Sequence, residues 1–306
     1  NCGGVGPLTL QMRTICGIFG LISLGLVACS GSSGSVGGSP VPDDDAGSGV
    51  STDAGPGATD DGGTTSGGAN YIIVLRAVQT PVAVDSSTSG QTPIDQRIGF
   101  SGLHLKTATG GMLTVADLPS TLDVGYNDGD ETTIATVKAS SLAAGHYTTA
   151  EVPIAYVKFI VAGTYHQGAT SVPGKFADTI SMADGALIDG VAHDKGYWAS
   201  TFSTTAGMQL GATNGENALV AQPAATSGIT LDTSSSPSKY VFPVDFTIDP
   251  TIDHDVKVVF TVNTYQDFRW TDQATAGFAI GTFDVDASGF EPVTQLGANS
   301  LATTLE

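Results

Sequence analysis

Beyond residue 29 the chain has no cysteine; Cys2, Cys16 and Cys29 are the only three. A disulfide framework is therefore excluded downstream, and a core there must stand on packed apolar area alone. Basic residues are also scarce, 11 against 30 acids, for a formal charge of −19. That balance disfavours nucleic acid and anionic lipid headgroups as ligands and attracts cations, calcium among them. Only 13% of residues are charged, about half the usual share. Helical periodicity is nowhere sustained beyond about two turns. Surface helices need Glu, Lys and Arg on their wet faces. The Gly, Thr, Ser and Ala found instead suit strands and turns.

Several chemistries lack their motifs too. There is no H-E-x-x-H. None of His104, His146, His166, His193 and His254 lies two or four residues from another, so no local zinc pair exists. After residue 70 no G-x-S-x-G falls in a strand-to-helix setting, and no cysteine nucleophile is present. A glycosidase needs only two carboxylates about 5–9 Å apart. With acids spread through the chain, spacing singles out no such pair.

What is present begins near Met12-Arg13, which reads as the true start, with residues 1–11 as upstream sequence. One positive residue, an apolar run from Ile15 to Val27 and then small residues follow the order of a secretory signal. The run is too short for a permanent span, which needs about 20 residues. It ends in Leu26-Val27-Ala28-Cys29. From Ser30 to Asn70 the chain is rich in Gly, Ser and Asp and has no aromatic residue. It reads as a disordered spacer with an r.m.s. span of roughly 35 Å, extended further by Asp43-Asp44-Asp45 and Asp60-Asp61.

Leu26-Val27-Ala28-Cys29 resembles the lipobox of bacterial lipoproteins. The resemblance covers about residues 12–30. It implies cleavage of residues 1–28, a diacylglycerol on the Cys29 thiol and a further acyl chain on its amine. Two or three chains anchor a protein effectively for good, where one binds reversibly. In the Gram-negative members, Ser30 in place of Asp implies sorting to the outer membrane, on its periplasmic face or at the cell surface.

From Tyr71 the composition turns apolar and β-branched. Residues 71–77 predict a buried strand. Arg97 to Leu105 alternates but slips phase by one, which predicts a bulge at Ser101-Gly102. Residues 113–116 and 133–137 are shorter candidates. Residues 152–161 carry apolar side chains on both parities, as in a central strand, with Pro153 at an edge or bulge. Tyr240 to Ile248 and Val256 to Val262 alternate across a short polar connection and predict antiparallel neighbours. The fold class is therefore all-β: one antiparallel β-sandwich over residues 71–306, with two tandem sandwiches as the alternative. Leu142-Ala-Ala-Gly-His-Tyr-Thr148 and the strand after it resemble uncharacterised β-sandwich domains of bacterial lipoproteins, which implies fold and no activity.

Two stretches present oxygen ligands for Ca²⁺. Asp284, Asp286 and Ser288 precede Gly289 in the pattern that opens a calcium loop. Position 12 is Gln295, which excludes an EF-hand, and Glu291 stands in as a further ligand. The competing reading is a hairpin turn in which Asp and Ser bond backbone. The second group is Asp123, Asn127, Asp128, Asp130 and Glu131. Trp198 and Trp270, beside Tyr197 and Phe268, are candidate sugar platforms, although the alternation of Phe268-Arg-Trp270 directs Trp270 to the core. These features predict a membrane-anchored, non-enzymatic binding domain for an envelope protein or other ligand. The alternatives are a calcium-stabilised carbohydrate-binding module and an enzyme of glycan turnover.

Overall fold

The computed structural model describes residues 68–218 and 220–306. The stretch expected to be a signal sequence, Cys29 and the expected spacer up to residue 67 lie outside the described residues. The longest element is β6 (Gly145–Gln167), 23 residues against a usual 3–10. From Ala150 to Val157 every residue of it is buried. One edge of β6 pairs first with β13 (Ser238–Ile248) and then with β7 (Thr170–Ser181). The other pairs with β3 (Asp95–Lys106) and then, in parallel, with β16 (Asp284–Asp286). The sheet continues through β10 (Trp198–Thr204) and β11 (Gln209–Gly215) beyond β7, and through β12 (Thr230–Asp232) beyond β13. β4 (Met112–Gly125) flanks β3, and β17 (Gly289–Phe290) forms a hairpin with β16.

A second sheet has the order β19 (Ser300–Leu305), β14 (Val256–Asn263), β1 (Asn70–Val78), β5 (Glu131–Lys138). It faces the first, and their inner side chains form one buried cluster that includes Ile73, Leu75, Phe100, Ile154, Phe242, Val258 and Phe260. A void of about 10 Å³ lies between the sheets, no more than a single water fills. Two small sheets complete the fold: β2 (Ser89–Gln91), β15 (Phe268–Trp270) and β18 (Val293–Gln295) in one, and β8 (Ala186–Ile188) with β9 (Val191–His193) in the other. The described residues contain no α-helix, and residues 68–306 cluster as one compact unit. The fold is all-β and mainly antiparallel, as expected.

Phase slips carry much of the architecture. The bulge expected at Ser101-Gly102 is present: from Phe100 to His104 β3 takes four steps against three of β6, and the β3–β4 register shifts at the same place. It lets Phe100 and Leu103 both reach the core, each 1% exposed. Pro153, which has no N–H to give, sits where β6 loses pairing with this bulge; the Ser101 hydroxyl donates to its carbonyl at 2.9 Å. A second slip lies within β6 itself. Ile98 faces Val157 but Phe100 faces Ile154, so β6 carries one extra residue there. Gly99 stands opposite, and a Cβ on it would meet the Tyr156 ring at 2.6 Å. The slip moves the core face from Val152 and Ile154 to Val157, Phe159 and Val161.

One expectation is corrected. β13 and β14 are strands, but they do not pair with each other. β13 joins β6, while β14 runs parallel to β1. The connection at residues 249–255 crosses between the sheets, so both strands alternate because each covers the same core from opposite sides.

Phe283 seals the end of the core beyond β6. It is 1% exposed, with ring centroids of Phe268, Phe176 and Trp270 at 5.0, 5.4 and 5.5 Å. Phe283→Ala is expected to cost about 3–5 kcal/mol, through lost burial and the cavity left behind. Equilibrium unfolding in urea checks it, through a lower midpoint at unchanged slope.

Candidate functional site

Strand register places three rows of inward side chains across β6, β7, β10 and β11. They are Val157–Ile180–Trp198–Gly215, Phe159–Asp178–Ser200–Thr213 and Val161–Phe176–Phe202–Gly211. Toward β11 the rows shrink to Ser, Thr and Gly. Close packing fails there, and a cleft of about 500 Å³ opens. Val285 and Phe290 of the β16–β17 hairpin line it, together with Val293 and Leu296. Volume and apolar lining are those of a small-molecule site. Trp198 lies over Gly215, where a Cβ would come within 3.0 Å of the indole. Any larger residue at 215 pushes the indole out of place.

Asp178 is the buried carboxyl in this lining. It is 7% exposed, and its Oδ1 accepts the Ser200 hydroxyl at 2.9 Å. Burial pushes its carboxyl up to about 7, against the lowering effect of the bonds from Ser200 and the Thr179 backbone. Among the residues lining the cleft, the other carboxylates are Asp286 and Glu216, and none is Lys, Arg or His.

The tryptophans part company. Trp198 is half-buried and lines the cleft. Trp270 is 1% exposed, packed on Phe268 and Phe283 with its Nε1–H donated to Asp272. It has no free ring face, so the platform role fails for it.

The oxygens grouped as calcium ligands are committed to separate protein partners. Asp286 Oδ1 accepts the backbone N–H of Ser288 at 2.7 Å and of Gly289 at 3.2 Å, and also the Ser288 hydroxyl. That is the turn chemistry of a β16–β17 hairpin. Asp284 accepts the Ala279 N–H at 2.7 Å. Glu291, fully buried, accepts the N–H groups of Gln273 and Asp284 at 2.7 and 3.0 Å, and burial raises its carboxyl from the ordinary range. In the second group, Asp123 lies in β4 and pairs with Arg97, while Glu131 lies in β5 and pairs with Arg76 and Lys257. Asp128 accepts the Gln79 N–H, Asp130 the Asn127 N–H, and the Asn127 side chain donates to Asp95. Neither set converges on a common point. Among the described residues no three His, Cys, Asp or Glu are placed to hold a metal ion.

His104, His146 and His254 pair with Asp117, Asp245 and Asp253 at 2.7–2.8 Å, and His193 stacks on Tyr197 at 3.5 Å. His166 differs from these. It is 9% exposed, with Nε2 2.7 Å from Asp284 and Nδ1 3.0 Å from the Ser171 hydroxyl. The order of partners resembles a nucleophilic relay, but it lies on the far side of the sheet from the cleft. The adjacent residues Tyr165 and Val285 line the cleft, and side chains alternate across a strand. Phe278 covers the imidazole at 4.9 Å. The group ties β16 and the 271–283 segment to the β6–β7 hairpin.

Sequence reasoning missed Asp178 and Ser200. The pattern Trp198-Ala-Ser-Thr-Phe202 does alternate, and Phe176-Ala-Asp-Thr-Ile180 places an acid on the apolar parity. That misplaced acid is the signal that was there to find. No family model, curated protein or solved structure matches the chain.

Asp178 makes stability depend on pH. Its folded value of about 7 lies above the ordinary 3.8, so the folded state holds the proton longer. Stability is full below about pH 4 and falls as pH rises to about 7, by up to about 4 kcal/mol. Asp178→Asn keeps an acceptor for Ser200 and removes the charge. Its melting temperature is expected to match wild type at pH 4 and exceed it at pH 8, as scanning calorimetry reads.

Proposed function

We propose that the chain is a membrane-anchored binding protein whose sandwich takes a small, largely apolar ligand into the cleft between β10–β11 and the β16–β17 hairpin. The observation that carries the reading is the cleft itself, about 500 Å³, with Phe159, Phe176, Phe202 and Trp198 among its lining. A sugar site needs many converging hydrogen-bonding groups, whereas these walls are mainly hydrocarbon. The reading involves no bond-making step. The anchor rests on the lipobox resemblance of Leu26 to Cys29, which supports a binding domain held at a membrane by a polar spacer.

The neutral apolar dye N-phenyl-1-naphthylamine tests the cleft. Fluorescence enhancement is expected to saturate at one dye per chain. Thr213→Trp, on edge strand β11, fills the cleft and is expected to weaken binding at least about 10-fold at an unchanged melting temperature. Unsaturable or unaltered binding counts against the reading. The anchor has its own test. Labelled palmitate is expected to enter the wild type expressed in a bacterial host and to be absent from Cys29→Ala.

A further inference from the structure

The charges around the cleft all have one sign. Asp178 stands in the floor, Asp286 and Glu216 stand nearer solvent, and no cationic side chain is among the lining residues. Ser200 gives its one hydroxyl proton to Asp178 Oδ1, and a hydroxyl has no second to give. With the Ser200 hydroxyl and the Thr179 N–H as its partners, the carboxyl still retains acceptor capacity in a mainly hydrocarbon wall. Burying an unpaired carboxylate is costly, and a ligand that brings the opposite charge removes that cost. Along the strands Trp198 lies on one side of the Asp178–Ser200 pair and Phe176 and Phe202 on the other, all lining the cleft, and ring faces attract cations. An anionic ligand finds no cationic side chain in this lining and meets the Asp178 carboxyl instead. The net charge of −19 draws organic cations toward the domain.

We propose that the cleft selects an organic ammonium ion, with its nitrogen beside Asp178 and Ser200 and its hydrocarbon body against Trp198, Phe202 and Phe290. This rests on the cleft-binding reading above and goes further by naming the ligand's charge. Asp178 is then the specificity-determining residue, and Ser200 positions its carboxylate. The apolar walls supply affinity common to any ligand of that size. The carboxylate discriminates between head groups.

Three ten-carbon probes separate the two readings, titrated calorimetrically into the full chain at pH 8 below their aggregation concentrations. They are decylammonium, decanol and decanoate. Decylammonium is expected to bind at least about 10-fold more tightly than decanol, and decanoate more weakly than either. Asp178→Asn is expected to reduce decylammonium binding to the level of decanol and to leave decanol unchanged. If decylammonium and decanol bind alike to the wild type, or decanoate binds best, the ammonium proposal is wrong while the cleft reading stands. If none of the three binds, both are wrong. Should Asp178→Asn not fold, the ranking of the three probes on the wild type still decides.

Discussion

One strand, β6, is buried on both faces from Ala150 to Val157 and paired along both edges, and the rest of the domain is arranged to make that possible. A buried strand loses all access to water, so each N–H and C=O needs a protein partner. β13 and β7 supply them in succession along one edge, β3 and β16 along the other. The exchange between β13 and β7 falls at Ala155, whose carbonyl accepts the Met182 N–H while Met182 in turn accepts from Ser238. The extra residue of β6 lies at the same place. One strand can therefore feed even-numbered residues to the core before this point and odd-numbered residues after it. Glu151, buried within this strand, is tolerated because Lys106 and Lys239 reach it from the two flanking strands. Burial works to raise its carboxyl, but the two lysines hold it below the ordinary range.

The cleft follows from the same sheet where that covering runs out. Near β6 the inner rows hold Phe, Val and Ile; at β11 they hold Gly and Thr. Side chains that short cannot reach the opposing hairpin, and the space stays open. Leaving apolar walls unfilled forgoes dispersion contacts, and burying Asp178 adds a desolvation cost. Such local losses of stability recur where proteins bind. Phe159 and Phe176 of the lining pack against Phe268 and Phe283, with Trp270 on Phe283, so the wall is backed by aromatic rings. The His166–Asp284 pair fixes the hairpin that forms its roof. A rigid wall and roof suit a preformed site.

Fold class was legible because it rests on local terms. Period-two alternation, turn residues and the lack of charged helix surfaces are properties of short windows, and they named the strands at residues 71–77, 97–105, 152–161, 240–248 and 256–262. Even the bulge at Ser101-Gly102 was visible, as a change of parity. Pairing partners were not. The alternation of β13 and β14 is the same whether they lie side by side or across a core, so only the packed sheets separate the two cases. The carboxylates near Asp284 and Asp123 looked like ligand sets for a related reason. Spacing along the chain sets which oxygens are near in sequence, while the fold sets which backbone N–H or basic side chain each of them meets.

By itself the sequence determined an all-β chain with no cysteine after residue 29, strongly acidic, with a lipobox-like stretch and a polar, Gly/Ser/Asp-rich tract ahead of its apolar strands. Tertiary structure alone decided where those strands meet, that Trp198 lines an open cleft, and that Asp178 and Ser200 face one cavity. Composition and periodicity are sums over neighbours in the chain. A cavity is a shortfall of volume among side chains from β6, β7, β10, β11 and the β16–β17 hairpin, and it exists only once those distant segments are brought together.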